Sequence, residues 1–167
     1  MVQAEQFFWH SKKMSELKVN LQNDLTNAIR AKDQLTTGTL RMVLSAITNE
    51  EVSGKNAREL SDQEVITVLN REAKKRKEAA TAFDDAKRSE LADRERAELE
   101  VLSKYLPEAL SDEALTTIIR DAVAQVTAAG QSGPSAMGSV MKLVSPQVAG
   151  RADGAAVAAA VKTALTD

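Results

Sequence analysis

Between Glu16 and Ala31, apolar residues fall at Leu17, Leu21, Leu25, Ala28 and Ile29, spacings that trace one stripe along a helix. A second stripe, Leu40, Val43, Leu44 and Ile47, follows a joint at Lys32 and Asp33 and stops near Gly54, so two antiparallel helices are predicted. Ser61 and Glu64 form a capping box: hydroxyl and carboxylate each satisfy a backbone N–H that a helix start leaves unpaired. A long third helix is predicted from there, with Val65, Val68, Leu69, Ala73, Arg76, Ala79, Ala80 and Phe83 on its stripe and its charged far end projecting into solvent. After a turn near Asp84 to Ser89, a fourth helix carries Leu91, Leu99, Leu102, Tyr105 and Leu106, and Pro107 disfavours helical geometry at the residue before it.

Beyond Pro107 the same signals recur on a smaller scale. Ser111, Asp112 and Glu113 supply a hydroxyl cap and acids suited to the positive end of a helix, ahead of Leu115, Ile118, Ile119, Ala122, Val123 and Val126. Gly130 to Pro134 break that helix. Met137, Val140, Met141 and Val144 predict a short sixth helix ending near Ser145 and Pro146. Asp153 is placed to cap a seventh, with Val157, Ala160, Val161, Ala164 and Leu165 inward. The pattern contains no strand and no repeat of fixed period. The predicted fold class is all-α: an N-terminal helical domain of about four helices, including long hairpins, over residues 15–107, and a small three-helix tail domain over 111–167. Residues 1–14 are expected to be a flexible extension. The tail has little apolar area, so a marginal core of variable orientation is expected of it.

Composition supports helix packing. Aromatic residues make up 3% of the chain, and three of them, Phe7, Phe8 and Trp9, crowd into the extension, which leaves an aliphatic core. There is no cysteine and a single histidine, His10. Disulfides, thiolate nucleophiles, histidine triads and multi-histidine metal sites within one chain are therefore excluded, and neither a metal nor a cofactor is expected. The N-terminus lacks a long apolar region and a small-residue cleavage pattern, and it is read as that of a cytoplasmic protein without a membrane partner. A net charge of -2 excludes a broadly basic surface, so any contact with nucleic acid must come from a patch, and DNA is not expected as a ligand.

Two places could carry such a patch. Arg71, Lys74, Lys75, Arg76 and Lys77 put five cations within seven residues of the third helix. They suit contact with phosphates; equally, they suit a solvated face in which Glu78 pairs with Lys74 and Lys75. The acids from Glu90 to Glu100 alternate with Arg94 and Arg96 and read as an ion-paired surface rather than a catalytic or metal site. The second place is the segment from Met137 and Gly138 to Gly150-Arg151-Ala152-Asp153-Gly154. Here Gly150 suits a left-handed helix stop, Asp153 a cap, and Gly154 close approach by another backbone. Arg151 would then project beside the N–H groups of the last helix, an anion site that Lys142 and Lys162 could share. An ordinary connector with an incidental arginine explains the spacing equally well.

The ordered combination of Leu106-Pro107, Met137-Gly138, Met141-Lys142 and Gly150-Arg151-Ala152-Asp153-Gly154, with the charged stretch from Arg71 to Pro107, resembles the YqeY-like, or GatB/YqeY domain-containing, family over Met14 to Leu165. The resemblance implies a helical domain followed by a tail similar to the C-terminal appendage of the B subunit of glutamyl/aspartyl-tRNA amidotransferase, which helps to hold tRNA. On it, Lys142, Arg151 and Lys162 become candidate RNA contacts, and Met137, Gly138, Gly150, Asp153 and Gly154 shape their surface. The implied function is a non-catalytic tRNA-associated module whose weak binding is completed within a complex. The alternatives are an adaptor for an amidotransferase or synthetase complex, and the carbon-nitrogen ligase activity with glutamine as donor that the family label carries. No nucleophile or amidase motif for the last is found in the chain.

Overall fold

The computed structural model describes residues 15–166. The N-terminal extension, with its aromatic run and His10, lies outside them. Among the described residues there are seven α-helices and no strand: α1 (Glu16–Ala31), α2 (Gln34–Val52), α3 (Asp62–Asp85), α4 (Ser89–Ser103), α5 (Asp112–Ala128), α6 (Met137–Val148) and α7 (Gly154–Thr166), with a short 3-10 turn at Gly133–Ala136 leading into α6. The all-α class is therefore observed. None of these helices is long and apolar enough to cross a membrane. The chain divides into two compact units, one ending at Val68 and the other beginning at Leu69, so the division falls within α3.

In the first unit, α1 and α2 pack as a hairpin on Leu21, Ala28, Leu40, Val43 and Ile47. Ser15 caps α1 by accepting from the Lys18 N–H, and Asp33 caps α2 by accepting from Thr36. At the open end of the hairpin, both oxygens of the Glu51 carboxylate accept from the Lys18 ammonium at 2.8 Å, with both side chains largely buried. The Ser15 hydroxyl and the Leu17 N–H donate to Asp62 at the start of α3. The capping box forms: Glu64 accepts from the Ser61 N–H at 2.9 Å, and the Glu64 N–H donates to the Ser61 hydroxyl at 3.3 Å. Arg58 adds a two-pronged bond to the same Glu64 carboxylate. Together with the Ser61 donors, it pulls that acid from its ordinary 4.5 down to about 2. Ile29, expected inward, is 47% exposed, because Leu21 and Ala28 centre the buried face about a quarter-turn away.

In the second unit, α3 and α4 meet across a buried charge cluster. Arg76 is 4% exposed; its Nε donates to Glu98 at 3.2 Å and its Nη1 to Glu72 at 3.1 Å. The far end of α3 does not simply project into solvent: Ala80 and Ala92 are buried, and Arg96 of α4 pairs with Asp84. Facing inward from α4 are Ala92, Val101 and Leu102, whereas Leu91, placed on the stripe by the sequence, is exposed. The error has a cause: the inner face carries Glu98 opposite Arg76, so counting apolar residues alone misplaces it.

Helices α5, α6 and α7 form a bundle with its own core: Ile119, Ala122, Val126, Ala136, Val140, Val144, Val148, Val157 and Val161. The partly buried apolar residues against it run from Leu110 to Leu165, and among the described residues none comes from α3 or α4. Helix α6 runs three residues past Ser145, with Pro146 inside it, because burying Val148 outweighs the hydrogen bond that a proline in the last turn removes. Ala164, expected inward on α7, is exposed.

Candidate nucleic-acid interface

The turn between α6 and α7 is held from several sides. Gly150 adopts φ +74°, a left-handed conformation that a Cβ disfavours. This reverses the chain after Val148, whose carbonyl accepts from the N–H groups of Arg151 and Ala152 at 2.9 and 3.1 Å. The Gly150 carbonyl accepts from the Asn70 side-chain amide of α3 at 3.2 Å. The Arg151 carbonyl accepts from the Leu110 N–H at 2.9 Å, and Arg151 Nε donates to the Glu108 carbonyl at 3.2 Å. Asp153 completes the turn. One of its oxygens accepts from the N–H groups of Ala155 and Ala156 at 3.0 Å, and the other pairs with Lys74 of α3 at 3.0 Å. The capping donors, Ala156 first, and then Lys74 hold the Asp153 carboxyl below its ordinary range. Asp153 in turn raises the Lys74 ammonium.

This geometry changes the reading of the residues singled out by sequence. The N–H groups at the start of α7 face the chain's own Asp153 carboxylate, so the anion site expected beside Arg151 is filled from within. Gly154 is not a point of close approach, since a Cβ there would meet nothing within 4 Å, and the same holds for Gly138. Arg151 is exposed at the turn, with its Nε on the Glu108 carbonyl. Lys142 and Lys162 are exposed on α6 and α7. Lys142 lies at a surface depression with Ser135, Gly138, Ser139, Ser145 and Pro146, and Met137 is half-buried against the bundle core.

The five cations of α3 part company. Arg71, Lys74, Lys75 and Lys77 are exposed, while Arg76 turns inward to Glu72 and Glu98 and leaves the face on which it was counted. Lys75 pairs with Glu72 at 2.7 Å. Burial, the largest single influence, pushes Glu72 up, but Lys75 and Arg76 together carry it below its usual value. Neither Lys74 nor Lys75 takes Glu78 as its main partner: Lys74 finds Asp153, already fixed by two backbone donors. Two features that looked separate in the sequence, the basic stretch and the glycine-bounded turn, thus meet at Lys74 and Asp153. Asn70 and the Glu108 carbonyl were missed. The signal for Asn70 is its position four residues before Lys74, which puts both on one face of α3; a backbone carbonyl leaves no signal.

No group of three or more potential metal ligands occurs among the described residues.

A family model described as Yqey-like protein matches residues 18–165. The chain is 37% identical over 93 residues to "Altered inheritance of mitochondria protein 41, mitochondrial" of Clavispora lusitaniae, covering 56% of this chain and 51% of that protein. It is 31% identical over 88 residues to the protein of the same name in Candida glabrata, covering 53% and 48%. To an uncharacterized protein of Schizosaccharomyces pombe it is 28% identical over 106 residues, covering 63% and 84%. The match to the two mitochondrial relatives spans about half of their length. Their names overturn the cytoplasmic expectation, which rested on the absence of a secretory pattern in the first residues, a feature that does not discriminate among the remaining compartments.

Proposed function

The chain belongs to the YqeY-like protein family, and from that premise we propose that it is a non-catalytic tRNA-associated module whose tail domain, residues 111–167, offers Lys142, Arg151 and Lys162 to phosphates. The observation that carries this reading is the setting of Lys142, an exposed ammonium at a depression that also has Ser145 along it, while the Ser135 and Ser139 hydroxyls there already donate to the Ser132 carbonyl and to Gln131. Cations with hydroxyls suit a phosphodiester backbone and read no bases. Binding of this kind is weak and falls with salt. Titration of tRNA against the wild type and the Lys142→Ala, Arg151→Ala double variant over a range of salt tests the proposal. Weaker binding and a shallower salt slope are expected of the variant. Equal binding by both proteins, or none at low salt, sinks the reading.

A second reading, an adaptor for a larger amidotransferase or synthetase assembly, is favoured by the apolar side chains that the α1 and α2 hairpin leaves uncovered. Val52 is 57% exposed, and Val19, Ile29 and Leu35 are exposed with it. Capture of a partner that survives nuclease treatment, and is lost with Val52→Lys, selects this reading over the first.

A further inference from the structure

We propose that the C-terminal bundle is held on α3 by a polar latch, and that the bundle opens from α3 as a folded body when the latch is screened. Three observations lead there. Among the described residues, the buried core of the bundle takes no member from α3 or α4: its members and the apolar side chains against it lie between Leu110 and Leu165. The bonds seen between α3 and the turn are polar: the Asn70 amide on the Gly150 carbonyl at 3.2 Å, and the Lys74 ammonium on Asp153 at 3.0 Å. That ion pair stands in solvent, with side chains 56% and 43% exposed. Exposed pairs of this kind contribute little and weaken as salt rises.

The latch is also built so that its release costs the bundle nothing internally. Asp153 divides its two oxygens, one capping α7 through Ala155 and Ala156 and the other reaching Lys74. When Lys74 leaves, the cap stays. The bonds of Arg151 to Glu108 and Leu110 travel with the bundle, because Leu110 packs against the bundle core. The joint that remains is the short stretch after α4 around Pro107.

The chain has no cysteine, so two introduced thiols are the only ones to label. Thr81→Cys on α3 and Thr163→Cys on α7, both exposed positions, carry a donor and acceptor dye in the full chain for single-molecule energy transfer. At about 0.05 M salt, adding Lys74→Ala is expected to raise the ratio of low-transfer to high-transfer molecules about two- to five-fold, while Lys74→Arg leaves it as in the parent. Raising salt to about 1 M, where screening acts within about 3 Å, is expected to raise the ratio similarly in the parent and scarcely at all in Lys74→Ala. An equal ratio in parent and Lys74→Ala, or an equal salt response in both, overturns the latch. So does a fall in helix content, by circular dichroism, that accompanies the low-transfer state, since opening would then be unfolding. Neither arm contains RNA, so the latch stands or falls apart from the tRNA reading.

Discussion

Lys74 and Arg76 stand two residues apart on the same helix and meet opposite fates. Arg76 lies in the interior between α3 and α4, 4% exposed, with Glu72 and Glu98 on its guanidinium. Lys74 reaches outward to a single aspartate that water also reaches. The inner cluster has lost most of its hydration, so removing Arg76 takes from Glu72 and Glu98 the buried partner they share and leaves each with an exposed one, Lys75 and Arg94. The outer pair can be exchanged for solvent at little cost. One helix thus carries a permanent fastening on one side and a releasable one on the other, and net charge alone does not distinguish them.

The largest test of this contrast is Arg76→Ala. Leaving Glu72 and Glu98 with only the exposed Lys75 and Arg94 is expected to cost about 3 kcal/mol of unfolding free energy in urea titration. A loss below about 1 kcal/mol would show the cluster to be as dispensable as a surface pair. Next is Gly150→Ala, which forces a Cβ into the left-handed conformation at φ +74° and is expected to lower stability by roughly 1–2 kcal/mol. An unchanged midpoint would mean that the turn relaxes to another conformation. Smaller still, Asp153→Ala removes both the cap of α7 and the partner of Lys74, and should lower the melting temperature more than Lys74→Ala, which spares the cap. Equal effects would place the whole contribution in the ion pair.

The smallest effect is one of pH. The Glu64 carboxyl is depressed from 4.5 to about 2, by Arg58 first and the Ser61 donors next. A depressed folded-state value stabilises the fold above the unfolded value, and the stabilisation disappears as pH falls through the folded one. Between about pH 4.5 and 2 the wild type should therefore lose stability more steeply than Glu64→Gln, and parallel curves would remove the capping box from the acid response.

The order and the starts of the helices were legible because their signals are local. Ser61 with Glu64, Ser111 and Asp153 each cap the helix predicted for them, and the stripes of α2 and α5 face the core as spaced. What was illegible depended on partners distant in the chain. Arg76 sat on an apolar stripe with no sign that Glu98 waited opposite, Leu91 was preferred to the smaller Ala92, and Pro146 ended α6 on paper because the burial of Val148 is a tertiary fact. At the candidate interface, Gly150 and Asp153 announced a turn, but the contact with Lys74 spans 79 positions and nothing in either segment points to the other.

The core of the C-terminal bundle is composed of valine, alanine and one isoleucine, and no side chain in it is aromatic or unbranched beyond Cβ. Such side chains have little rotamer freedom to lose when they are buried: alanine has none, and the branched ones are already stiff at χ1. Ordering this core therefore sacrifices less conformational entropy per residue than ordering leucines or methionines would. A bundle of three short helices can in this way hold one packing with a small apolar area, its rigidity written into the choice of side chain rather than into the amount of surface it hides.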